Sequence, residues 1–178
     1  MIFQIIILII SFLLDGVLSN FLPYMINDLS FFTPYFTLIT LIIIYPSFQK
    51  QEQKYFYLVG ITGFLYDLFY TNLFFANTIF FLLIALIIKE ISKKINLNAL
   101  TNLFLIALTI ILYHIIFTLA LYIFNVVTIN IKSICYLILH SLILNLAYGE
   151  LLYFIYKSLP TKRHLNWRLF FIFHHKIN

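Results

Sequence analysis

From Ile2 to Lys157 the chain is a succession of long apolar runs, at about 2–22, 31–48, 55–71, 73–91, 99–125 and 132–157. Each comes close to the ~20 residues that a helix needs to cross the ~30 Å hydrocarbon layer of a bilayer. Strands that cross a membrane alternate apolar and polar side chains, and that alternation is missing here. A soluble core cannot absorb these runs either. Of 178 residues, 63% are hydrophobic and only 10% charged, against roughly a quarter charged in soluble domains. The expectation is an all-α, polytopic membrane protein: a bundle of six transmembrane helices over 1–157 and a short basic-aromatic tail over 158–178. Residues 1–14 lack the basic start and small-residue cleavage site of a signal peptide, so they read as the start of a retained first span.

The charges orient the bundle. Lys50 and Lys54 lie in one loop, Lys89, Lys93 and Lys94 in another, and Lys157, Lys162, Arg163, Arg168 and Lys176 at the end of the chain. With six spans, all ten fall on one side, and only Lys132 of the 11 basic residues falls on the other. Basic loops stay inside, so both termini are expected to be cytoplasmic. The net charge of +5 is therefore a topology signal and not a nucleic-acid footprint. Cys135 is the single cysteine, which excludes a disulfide framework and a cysteine metal pair. The tail stretch "NWRLFFIFHHKIN" mixes Trp167 and Phe with cations, a composition suited to the membrane interface.

Three acidic residues fall inside spans: Asp15, Asp67 and Glu150. Ionisable groups at membrane depth face the bundle interior or a wet cavity. With the chain threaded as above, Asp15, Asp67, Asn77 and His140 share one outer layer at 1.5 Å rise per residue, with Asn20 and Asn72 at its rim. Glu150 lies nearer the cytoplasmic side. Ser11, Asp15 and Ser19 recur every four residues and form a polar stripe. Gly60, Gly63, Asp67 and Thr71 share a face of the third span, and Ser141, Asn145 and Gly149 share one of the sixth. Stripes of small and polar residues let membrane helices approach closely and hydrogen-bond, so these faces are expected to build the interior.

Two readings of the outer layer compete. In one, Asp15 and Asp67 accept hydrogen bonds and lock helices together. In the other, Asp15, Asn20, Gly63, Asp67, Asn72, Asn77 and His140 line a pocket open to the outside, for a ligand or a partner's helix. His114 in mid-span reads as a satisfied core histidine. No Ser-His-Asp set, paired carboxylates or HExxH stretch is present, so no catalytic residue, metal site or cofactor is expected.

The stretches "FLLDGVLSNF" at 12–21 and "GFLYDLFYTNLFFANTIFFLL" at 63–83 resemble the MreD family of rod shape-determining proteins. Those proteins are small, basic-looped and six-spanning. They carry a glycine-x-x-x-aspartate segment in the third span and an asparagine or glycine in the fourth, positions held here by Gly63, Asp67, Asn72 and Asn77. The leucine-glycine often found after the third span is replaced by Phe74-Phe75-Ala76. The resemblance implies a non-catalytic scaffold in the bacterial cytoplasmic membrane. It would act with MreC, a single-span protein, and with the peptidoglycan synthases of the elongation machinery, surrounded by membrane lipid and without nucleic acid. The family is also similar in fold to the vitamin-binding S-components of energy-coupling-factor transporters, which supplies the alternative function: a small-molecule-binding transporter subunit.

Overall fold

The computed structural model describes residues 2–25, 33–71, 75–95, 98–123, 125 and 131–158. Among these there are six α-helices and no strand: α1 (Ile2–Met25), α2 (Phe36–Phe48), α3 (Glu52–Tyr66), α4 (Ala76–Lys94), α5 (Ala99–Ile123) and α6 (Ile131–Ser158). A π-helical turn, Asp67–Thr71, continues α3. Segments of α1, α5 and α6 are long and apolar enough to cross a membrane (Ile2–Asn20, Ala99–Leu119, Ile134–Ser158). The tail beyond Ser158 and Asn72 lie outside the described residues.

The second apolar run departs from expectation. A span over 31–48 is predicted, but α2 begins at Phe36 and has 13 residues, about 20 Å of helix against the ~30 Å of hydrocarbon. Pro34 accounts for part of this, because a proline pushes the residue before it out of the helical region. Pro46 sits within the last turn. Every residue from Phe36 to Tyr45 is buried. An apolar surface on all sides is the mark of a helix enclosed by others. Here α2 packs against α1, α3, α4, α5 and α6 and forms the axis of the bundle.

The interior is therefore not built from polar stripes alone with Phe and Ile turned outward. Ile39, Ile42 and Ile44 of α2 meet Phe80, Phe81 and Ile84 of α4 and Leu105, Ile106 and Ile110 of α5 in one apolar core. The surrounding helices do show apolar side chains outward, as Ile6, Ile9 and Leu13 on α1 and Phe104 and Leu119 on α5. At the end of the bundle that carries the lysines, Lys89 of α4 pairs with Glu52 of α3 at 2.6 Å, and Lys93 pairs with Glu90 at 2.7 Å. The Tyr55 hydroxyl donates to the Leu41 carbonyl at 3.0 Å and ties α3 to α2.

Burial on this axis sets a stability contrast. Ile42→Ala, at a fully enclosed position, should cost about 2–5 kcal/mol. Ile9→Ala, on the exposed face of α1, should stay within about 0.5 kcal/mol. Unfolding in mixed detergent micelles measures both, and equal losses would contradict the central placement of α2.

Candidate functional site

The two helices that begin within the bundle, α2 and α4, lack a capping side chain of their own. Tyr35 and Phe75 hold the N-cap positions, and neither makes a side-chain cap hydrogen bond. The first four N–H groups of a helix have no partner within it, and away from water each needs one from elsewhere. In both cases the partner is an aspartate of the preceding helix or its continuation.

Asp15 of α1, 1% exposed, reaches the start of α2. Its Oδ1 accepts from the Phe36 N–H at 2.7 Å and its Oδ2 from the Thr37 N–H at 2.9 Å. Asn145 of α6 completes the same end: its Oδ1 accepts from the Tyr35 N–H at 2.8 Å, and its Nδ2 donates to the Thr33 and Ser141 carbonyls at 2.9 and 2.8 Å. One turn further along α2, Ser11, Thr40 and Tyr148 bring their hydroxyls together, with Ser11 at 2.7 Å from each of the other two. The negative carboxylate also suits the positive end of the helix dipole.

Asp67 opens the π-turn and reaches α4. Four donors of the described residues converge on it. Oδ1 accepts from the N–H and Nδ2 of Asn77 at 2.8 and 2.9 Å, and Oδ2 from the N–H and hydroxyl of Thr78 at 2.9 and 2.8 Å. An ionised carboxylate is acceptor-only with about four lone-pair positions, and these donors approach both of its oxygens in pairs. Gly63, one turn earlier, makes the reach possible. A Cβ on Gly63 would stand 2.7 Å from the Thr78 Cα and 3.2 Å from the Asn77 carbonyl, backbone atoms that cannot step aside. The glycine-x-x-x-aspartate spacing thus puts a close approach and a cap on one helix face. Phe75, at the turn into α4, has φ 62°, a left-handed conformation that glycine adopts without penalty.

The two caps belong to a belt that passes through all six helices. Tyr113 of α5 donates its hydroxyl to the Asn77 Oδ1 at 2.9 Å. Its ring lies 4.5 Å from that of Tyr35, which precedes α2. His114 Nε2 is 2.9 Å from the Ser141 Oγ and joins α5 to α6. The belt closes where the Tyr70 hydroxyl of the π-turn donates to the Phe12 carbonyl of α1 at 2.6 Å. Gly16 leaves room for that ring, since a Cβ there would lie 2.7 Å from the Tyr70 hydroxyl.

The remaining candidates divide. Ser11, Ser141, Asn145, Gly63 and Asn77 are buried among the contacts just given, Gly149 is buried against Ile106 of α5, and His114 is satisfied by Ser141. Ser19 and Asn20 are exposed on α1, because the stripe runs past the level at which α2 begins and loses its neighbour. A Cβ on Gly60 would meet nothing within 4 Å. His140 is half-buried, with its ring 4.0 Å from that of Tyr136. Lys157 lies 5.9 Å from the Tyr153 ring centroid, and no ion pair with Glu150 forms among the described residues. Tyr35, Tyr70, Thr78, Tyr113 and Tyr148 escaped the sequence reading. Only Thr78 carried a signal, as a hydroxyl beside Asn77 in a helix's first turn. Asp15 and Asp67 are 1% and 3% exposed, and the hydrogen bonds given above for them lead to helix starts.

Comparison with known families matches residues 1–163 to the family described as rod shape-determining protein MreD. No curated protein and no solved structure gives a match.

The caps and the glycine contact set two expectations. Asp15→Asn and Asp67→Asn each turn an acceptor oxygen into a donor facing N–H groups. Each should cost about 1–3 kcal/mol, with the larger loss at Asp67, where the converted oxygen faces two donors against one at Asp15. Gly63→Ala should cost about 1–3 kcal/mol through overpacking, while Gly60→Ala should be neutral or stabilise by up to ~1 kcal/mol. Micelle unfolding of the four variants reads both, and a reversed order at either pair would contradict the geometry.

Proposed function

The chain belongs to the MreD family of rod shape-determining proteins, and on that premise we propose that it is a multi-pass scaffold of the bacterial cytoplasmic membrane. In this reading all six helices span the bilayer, α2 as a short central one, with both termini cytoplasmic. The partition of ten basic residues to one side supports that orientation. The scaffold binds an MreC-like single-span protein and supports the synthases that insert peptidoglycan along the cell's length. It does so without catalysis: Asp15 and Asp67 are engaged in capping helices.

The observation that carries the docking assignment is the Asp67 cap. Through its four hydrogen bonds this residue fixes the end of α3, the π-turn and the start of α4 as one unit. It therefore shapes the surface which that end of the hairpin presents at the membrane boundary. We place the partner's membrane helix or its adjoining segment there. Asp15, by contrast, is enclosed by α1, α2 and α6 and shapes no such surface.

Co-purification of the partner from membranes tests the assignment. Asp67→Leu should insert normally yet lose most of the bound partner, with Asp67→Asn intermediate. Asp15→Asn, destabilised but altered only in the interior, should keep it. Full retention by both Asp67 variants would remove the docking role.

A further inference from the structure

The outer face of α3 carries two apolar grooves on either side of one ridge. Tyr57 and Ile61, four residues apart and 73% and 61% exposed, form the ridge and line both grooves. On the α4 side, a groove of ≈ 580 Å³ has Gly60, Phe56 and Leu82 among its lining and Gln53 at its end. On the α1–α2 side, one of ≈ 240 Å³ runs between Ile5, Phe48 and Leu58 and ends at Lys54. Gly60 packs against nothing, so its missing side chain serves only to deepen the first groove. From Gln53 to Ile61 is eight residues, about 12 Å of helix, close to the ~15 Å depth of one leaflet's hydrocarbon.

The charge at the groove ends is one-sided. Glu52 is taken up by Lys89 at 2.6 Å, and Lys89 in turn lies 5.7 Å from the Phe56 ring centroid. Lys54 has no ion pair among the described residues, and Lys50 lies in the adjoining turn, also without one. The pattern is two apolar channels that meet at an uncompensated cation beside a neutral amide. A transmembrane helix, 10–12 Å across, seats against a face of small residues. The projecting Tyr57–Ile61 ridge denies it that face but separates two thin chains.

We propose that this face holds one diacyl phospholipid with an anionic headgroup, its two acyl chains astride the Tyr57–Ile61 ridge and its phosphate at Lys54 and Gln53. The headgroup supplies the charge that Lys54 lacks, and the chains fill the space that Gly60 opens. Bound in this way, the lipid would cover the α3 surface between α1 and α4.

The full chain reconstituted in bilayers of equal phosphatidylglycerol and phosphatidylcholine, then extracted and weighed intact by native mass spectrometry, tests the proposal. Retained phosphatidylglycerol in excess over phosphatidylcholine is the expected result, and it needs no variant. Lys54→Gln should lower that excess roughly fivefold, the effect of one basic residue at an anionic surface. Gly60→Leu, which projects into open space, should displace the retained lipid with the melting profile kept. Equal retention of the two lipids would overturn the proposal, as would undiminished retention in Gly60→Leu. So would a photo-crosslinker at Tyr57 that captures a protein helix instead of lipid.

Discussion

A helix that starts inside an apolar bundle exposes N–H groups where no water can reach them, and most of this structure follows from how that problem is met. Each unsatisfied group would cost several kcal/mol in hydrocarbon. The chain meets the need with carboxylates from α1 and from the end of α3, placed at the first turns of α2 and α4. This explains why a sequence so poor in charge keeps Asp15 and Asp67 at depth. An aspartate offers two oxygens at the tip of a short side chain, so one residue serves two adjacent N–H groups. Asparagine does the job less well, and at Asn145 it is used where both a donor and an acceptor are needed.

The belt that results is connected in both directions. Asp15 and Asn145 bind the beginning of α2 from α1 and α6. Tyr35 passes the connection to Tyr113 of α5, Tyr113 to Asn77 of α4, and Asn77 to Asp67. Tyr70 returns it to α1. Hydrogen bonds between membrane helices average only about 0.6 kcal/mol, so no single link holds the bundle. Their value lies in direction. Lipid contact gives helices little preference for one neighbour over another, whereas a cap can be satisfied only by the helix start that fits it. The apolar core around α2 then fills in behind a set of contacts already specified.

Much of this was legible in the residues. Run length and composition gave the all-helical fold, in which three helices are long and apolar enough to cross a membrane, and the polar positions at helical spacing picked out Ser11, Asp15, Gly63, Asp67, Asn77, Ser141 and Asn145. What they could not give was the partner of each. Asp15 serves backbone groups at 36 and 37, and nothing local to Asp15 names them. The length of α2 was hidden for a related reason: 31–35 is as apolar as a span, and only the side chains of α1 and α6 make a start at Phe36 affordable. Gly60 and Gly63 look alike in sequence. They differ in what each faces: the backbone of α4 at Asn77 and Thr78 lies against Gly63, whereas a Cβ on Gly60 would meet nothing within 4 Å. The tyrosines of the belt gave no signal, since a chain with 13 tyrosines offers no reason to single out Tyr35, Tyr70 or Tyr113.

The stretches "SFLLDG" around Asp15 and "GFLYDL" around Asp67 look alike. In each, an aromatic three residues before the aspartate is followed by aliphatic or aromatic neighbours, and the carboxylate caps the helix that comes next in the chain. The two devices are equivalent in chemistry but not in reach. One cap lies 21 residues before the N–H it serves and the other 10. The short interval of the second requires the π-turn and the left-handed Phe75 to reverse the chain within a few residues, and Gly63 to let the returning helix come close. The long interval of the first needs none of these, and α1 accordingly places Gly16 beyond its aspartate, where it admits Tyr70 from the second hairpin. The glycine has moved from the contact within a hairpin to the contact between hairpins. In α1 the glycine thus serves the approach of the π-turn, and in α3 it serves the approach of α4.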